Sequence, residues 1–226
     1  MSEPNQSENR ERRVLIVDAH PMLRQGLRLL IEQEHNLKVC GEAADIRSAH
    51  AALQQTQPDM VVLEISLRAG SGIGLIKHIR STYGQLPVLV FSMHDEDIYA
   101  ERLLSAGANG YIMKQAPADQ LITALRRVLA GESYVSEHVE ANRIERLAVG
   151  GRKQTGDFLE RLSNRELEVL DLIGRGRTGR QVAEGLGLSL KTVDCHRQHI
   201  KKKLGLKNSA QMAHFAAHRL SIGSER

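Results

Sequence analysis

The chain has 226 residues, 41% apolar and 3% aromatic, with a formal net charge of +4 and no tryptophan. That length allows one or two domains with real cores, and so few aromatics argue against nucleic-acid binding by base stacking. No apolar run approaches the roughly 18 residues of a membrane span. The polar start MSEPNQSENRERR is not a secretory signal, and two distant cysteines, Cys40 and Cys195, fit a reduced cytoplasmic compartment better than a disulfide framework.

Residues 1–11 read as a disordered tail. Residues 12–131 alternate short apolar runs with helical patterns. The runs at 12–18, 37–43, 59–65, 86–92 and 108–113 read as buried parallel strands. The first helix opens at Pro21 and places Leu23, Leu27 and Leu30 on one face. Further helical patterns follow the remaining strands, with Gly107 and Gly131 where helix C-caps belong. Five strand–helix units predict an α/β domain, a (βα)5 doubly wound sheet. Residues 132–157 read as a linker carrying one helix, with Val139, Ile144 and Leu147 on its apolar side, and VGGRKQTGD as its flexible end. Residues 158–226 hold no strand pattern and read as a small all-α domain.

In a doubly wound sheet, chemistry collects at the carboxyl ends of the strands. Those ends carry Asp18, Glu64, Ser92 and Lys114. An ionised group leaves water only at a cost, so a carboxylate such as Glu64 closing a buried strand needs a purpose. Acid, acid, hydroxyl and lysine, in that order at successive strand ends, resemble the response-regulator receiver domain. The resemblance implies that position 64 is the phospho-acceptor, that acids after the first strand hold Mg²⁺, that Lys114 pairs with phosphoryl oxygens, and that Ser92 swings toward them.

Three positions depart from that pattern. The acceptor is Glu64 rather than Asp, the second acid after the first strand is Ala19, and Arg68 stands where a loop proline is common. The extra methylene displaces the carboxylate by roughly 1.5 Å toward Lys114, a misplacement that can cost about a hundredfold in rate. Loss of the acid at Ala19 weakens Mg²⁺ binding, so no cofactor is assigned. Glu64 then reads as a constitutive charge imitating a phosphorylated aspartate, as a relic that merely satisfies Lys114, or as part of a pocket still phosphorylated by a sensor histidine kinase.

The tail is the basic part of the chain. From Phe158 onward 13 Lys and Arg face 7 Asp and Glu, while the remainder carries a net −2. Such an asymmetry is a prior for a polyanionic partner. Ser163 with Glu166 forms a capping box, Thr178 caps a second helix, and Ser189 caps a third from Leu190 to Leu204. Two helices joined by the tight GLGLS turn make a helix-turn-helix pattern. On the third helix Leu190, Val193, Ile200 and Leu204 share the packing face. Lys191, Asp194, Cys195, Gln198, His199 and Lys202 point the other way. Gln can read adenine, Asp can accept from cytosine N4, and a thiol can touch a thymine methyl. Arg180, Lys191, Lys202 and Lys203 suit phosphates.

This region is similar to the LuxR-type DNA-binding domain of the NarL/FixJ group, in Glu166, Val169, Leu170, Val182, Ala183, Thr192, Val193, His196, Ile200, Lys203 and Leu204. The resemblance implies base contacts from Asp194, Cys195 and Gln198. It implies backbone support from Thr192 and His196, and dimerisation through the last helix with Met212, Ala213, Phe215 and Ala216. Cys195, His196 and His199 lack a fourth ligand, so no metal is assigned. The whole chain reads as a cytoplasmic transcription regulator, not an enzyme, that binds double-stranded promoter DNA as a homodimer. A sensor histidine kinase or RNA polymerase is the further partner, and no membrane partner is expected. The alternatives are a conventional two-component regulator that is still phosphorylated, a protein–protein signalling adaptor, and a pocket that dephosphorylates a partner.

Overall fold

The computed structural model describes residues 10–67, 71–148 and 158–220. Most of the N-terminal tail, Arg68, the linker segment 149–157 and the Leu147 side chain lie outside the described residues.

Five strands alternate with five helices: β1 (Arg12–Val17), α1 (Pro21–Glu32), β2 (Leu37–Ala43), α2 (Ile46–Thr56), β3 (Met60–Leu63), α3 (Gly72–Tyr83), β4 (Val88–Ser92), α4 (Glu96–Ser105), β5 (Gly110–Met113) and α5 (Ala118–Leu129). The sheet is parallel in the order β2-β1-β3-β4-β5. Both faces are covered, so each strand is apolar on both sides. Leu15, Val17, Val61, Leu63, Val88, Val90 and Tyr111 turn toward α2, α3 and α4. Val14, Ile16, Met60, Val62, Leu89, Phe91 and Ile112 turn toward α1 and α5. The period of two behind this split is that of any strand.

The order has a topological switch between β2-β1 and β3-β4-β5, and the register there places the carboxyl ends in one row. Val17 pairs with Leu63, so Asp18 and Glu64 follow side by side, and the Glu64 amide donates to the Val17 carbonyl at 2.8 Å. Ser92 pairs with Met113, and the Lys114 amide donates to the Ser92 carbonyl at 2.8 Å.

Some apolar faces differ from those read in the sequence. In α1 the buried centre is Leu27 and Ile31, with Leu23 and Leu30 flanking it. In α6 (Glu137–Ala148) Val139 is buried but Ile144 is 60% exposed.

A short 3-10 turn (Phe158–Arg161) leads to α7 (Asn164–Gly174), α8 (Gly179–Leu186), α9 (Leu190–Leu204) and α10 (Ser209–Leu220). Ser163, Thr178 and Ser189 each accept the backbone N–H three residues on, satisfying donors that a helix start leaves free. Val193 and Ile200 of α9 are buried, whereas Leu190, in its first turn, is 47% exposed. Gly174 admits α10: a Cβ there would stand 3.0 Å from the Ala216 carbonyl carbon.

Glu166 ties this helical region together. Its carboxylate accepts from the Ser163 amide at 2.7 Å and from Lys203 at 2.6 Å, joining α7 to α9. Burial pushes the Glu166 carboxyl up, but the bonds from Lys203 and Ser163 outweigh it and hold the group below its ordinary value. A depressed carboxyl stabilises the fold above its unfolded pKa and loses that contribution as pH falls through its folded pKa. Glu166→Gln is therefore expected to lower stability at neutral pH by about 1–2 kcal/mol. In thermal melts the gap to the parent chain should close as the pH is taken below about 4. A gap independent of pH would refute this assignment.

Candidate functional site

The four strand-end residues converge. Asp18, Glu64 and Ser92 are buried, and the Lys114 ammonium lies 2.5 Å from Asp18 Oδ2 and 2.7 Å from Glu64 Oε2. Glu64 Oε1 accepts from the Ser92 hydroxyl at 2.7 Å and from the backbone N–H groups of Ile65 and Ser66 at 2.7 and 3.1 Å. Among the described residues, Ser92, the amides of Ile65 and Ser66, and a Lys114 ammonium shared with Asp18 thus all meet the Glu64 carboxylate. One ammonium therefore faces two carboxylates. Asp18 Oδ1 in turn accepts from the His20 amide at 2.7 Å and lies 2.9 Å from the His20 ring Nδ1. Ala19 adds no ligand.

The receiver resemblance implies Mg²⁺, and these residues do not fit it. Mg²⁺ demands near-octahedral oxygen ligation at about 2.0–2.1 Å. Ala19 offers no side-chain oxygen, and both oxygens of Asp18 and both of Glu64 already face donors. Lys114 stands between the two acids, where its charge opposes a divalent cation.

Several polar residues around the pocket carry no signal in the sequence. The Ser66 hydroxyl meets His94 Nε2 at 2.6 Å, and the Tyr111 hydroxyl donates to the His94 carbonyl at 2.7 Å. Burial, then the Glu64 charge, push the Tyr111 phenol well above its ordinary value, so it stays a donor. On the far side of His94, Nδ1 lies 3.1 Å from Asp171 Oδ2 of α7, at ion-pair distance but out of line for a straight hydrogen bond. Arg175 also reaches Asp171 at 3.1 Å. Burial alone would raise the Asp171 carboxyl, yet His94 and Arg175 hold it below its usual range. Arg102 of α4 donates to the carbonyls of Leu159 and, at 3.0 Å, Leu162.

The helical region presents the second candidate surface. Asp194, Cys195, Gln198, Lys191 and Lys202 of α9 are exposed, as is Arg180 of α8. Asp194 is paired to Arg197 at 3.3 Å. Thr192 is half-buried, its hydroxyl 2.7 Å from Ser189. Burial pulls the half-buried His196 ring below its usual value. Lys203, read as a phosphate contact, is exposed and pairs with Glu166 of α7 at 2.6 Å. One assignment needs correction. Met212 and Ala216, read as dimer contacts, are fully buried against their own domain, while Ala213 and Phe215 are half-buried. The outer side of α10 is instead a groove lined by Leu206, Ala210, Gln211, His214, Phe215 and His218.

Comparison with known proteins agrees with both halves of this geometry. The family model "Response regulator receiver domain" matches residues 14–126, and "Bacterial regulatory proteins, luxR family" matches residues 160–216. The oxygen regulatory protein NreC of Staphylococcus aureus is 32% identical over 208 residues, covering 90% of this chain and 96% of its own. RcsB of Salmonella enterica serovar Typhimurium, solved on the promoter rprA with the phosphomimetic BeF3⁻, aligns with a TM-score of 0.62 and 26% identity over 92% of this chain and 98% of its own. A structure of two RcsB dimers bound to two parallel DNAs aligns with a TM-score of 0.56 and 25% identity over 92% and 99%. The chain belongs to the LuxR-type response regulators of two-component systems, with a receiver domain followed by a helix-turn-helix DNA-binding domain.

Proposed function

We propose that this regulator binds its promoter with Glu64 as a permanent stand-in for a phosphorylated aspartate. The observation that carries the reading is the saturation of the Glu64 carboxylate by Lys114, Ser92 and the amides of Ile65 and Ser66. These are the donors that would otherwise meet a phosphoryl group, and phosphoryl transfer needs an in-line nucleophile and neutralised charge. Here the Glu64 carboxylate is tied down, and the acids that would hold Mg²⁺ are reduced to two carboxylates already facing Lys114. The imitation is partial, since a carboxylate has one charge and a phosphate monoester about −1.5 to −2.

In this reading residues 12–131 are the receiver and 158–226 the DNA-binding domain, joined by 132–157. Asp194, Cys195 and Gln198 read bases in a major groove. Arg180, Lys191, Thr192, His196 and Lys202 position the phosphates. The dimer forms through the outer groove of α10, as a two-fold pairing of inverted half-sites. The working form is a cytoplasmic, non-enzymatic homodimer on double-stranded DNA.

Three outcomes test these assignments. Acetyl phosphate with Mg²⁺ should leave the parent chain unlabelled, and Glu64→Asp should gain little, read on intact protein by mass; robust labelling of the parent would sink the constitutive charge. Glu64→Gln keeps the shape and removes the charge, so promoter affinity should fall by about 5- to 150-fold, the span of ordinary inter-site coupling. Unchanged affinity would leave Glu64 as a partner of Lys114 and nothing more. In footprints Gln198→Ala should cost about 1–3 kcal/mol and relax preference at one base pair. Lys191→Ala should weaken all sequences alike and flatten the salt slope by about one. Protection that ignores both sequence and salt would favour the adaptor.

A further inference from the structure

We propose that His94 is a relay that couples the anion at position 64 to the seating of α7, and with it the DNA-binding domain, on the receiver. The proposal takes its input, the charge at position 64, from the reading above and adds a route by which that charge is felt elsewhere.

Two short paths join Glu64 to His94. Ser66 binds Glu64 Oε1 through its amide and His94 Nε2 through its hydroxyl. Ser92 donates to the same Glu64 oxygen, and its own hydroxyl oxygen accepts from the His94 amide at 3.4 Å. The Tyr111 hydroxyl pins the His94 carbonyl from β5. His94 is thus held at three points, its ring by Ser66, its amide by Ser92 and its carbonyl by Tyr111. Its remaining nitrogen faces Asp171 of α7.

That contact is buried on both sides, His94 being 6% and Asp171 5% exposed. A buried carboxylate that loses a partner is left with an uncompensated charge, which is strongly destabilising. The seat of α7 therefore depends on where His94 points. Arg175 completes it, holding Asp171 and reaching the Met93 carbonyl at 3.4 Å. Arg102 fastens a second point at Leu159 and Leu162. Asp194, Cys195 and Gln198 stay exposed while α7 is seated. The relay accordingly fixes the orientation of the reading helix relative to the receiver and leaves its face open.

Amide hydrogen exchange on the full chain tests the proposal. Ser66→Ala, His94→Ala, Asp171→Asn and Glu64→Gln should each speed exchange in α7 and in the segment between β4 and α4 by about tenfold, as local opening becomes easier. Glu64→Gln should add nothing in a His94→Ala background, the mark of one coupled path. Asp171→Asn lies outside the receiver, so it remains informative if His94→Ala unfolds the sheet. Unchanged exchange in Glu64→Gln, or simple additivity with His94→Ala, overturns the relay. If Glu64→Gln weakens promoter binding but leaves exchange unchanged, the charge reading stands and the relay falls. If exchange rises while promoter binding is unaffected, the relay stands and the reading above falls.

Discussion

Lys114 holds its ammonium between two carboxylates that the sheet has taken out of water. Burying one charge costs several kcal/mol even after relaxation, and an ion pair repays this only with good geometry and further hydrogen bonds. The surrounding chain supplies those bonds at the oxygen of each carboxylate that Lys114 does not meet. The His20 amide and ring face Asp18, while Ser92 and two consecutive amides face Glu64. The parallel register makes this possible, because it delivers Asp18, Glu64, Ser92 and Lys114 to one end of adjacent strands. The loop after β3 is shaped by the same demand. Gly72 packs so closely that a Cβ would come 2.5 Å from Ile65 Cα, which keeps the loop amides turned onto the carboxylate.

Much of this was legible in the sequence, for a local reason. Buried strands declare themselves by apolar runs, and the residue that ends each run is named by position alone. Asp18, Glu64, Ser92 and Lys114 could therefore be grouped before any distance was known. Helix starts were equally plain at Ser163, Thr178 and Ser189, whose caps act within three residues. Ser66, His94 and Tyr111 were not legible as a set, since a serine, a histidine and a tyrosine in loops and strands have many ordinary uses. Asp171 sits on a helix whose partner element is fixed only by tertiary packing, and no spacing rule links it to His94.

The corrections have a common physical origin. A helical wheel gives the direction of a face but not which turns of the helix are covered. Leu190 and Ile144 lie on apolar sides that run past the end of the packing surface. Met212 and Ala216 were credited to a partner by the family resemblance, yet the domain itself covers them, with Gly174 letting α10 approach closely. Lys203 belongs to a run of three lysines in the last turn of α9, and its pair with Glu166, 37 residues earlier, cannot be seen from that run.

The seating of a carboxylate where an acyl phosphate would form also changes the timing of the signal. An acyl phosphate is made and hydrolysed, so a phosphorylated receiver has a lifetime and forgets its stimulus. The Glu64 side chain is joined to the backbone by carbon–carbon bonds and has no leaving group. On the constitutive-charge reading the molecule has no clock of its own. Its message would begin when the chain is synthesised and end when it is degraded or diluted, and control over the promoter would pass from chemistry on the protein to the number of copies present.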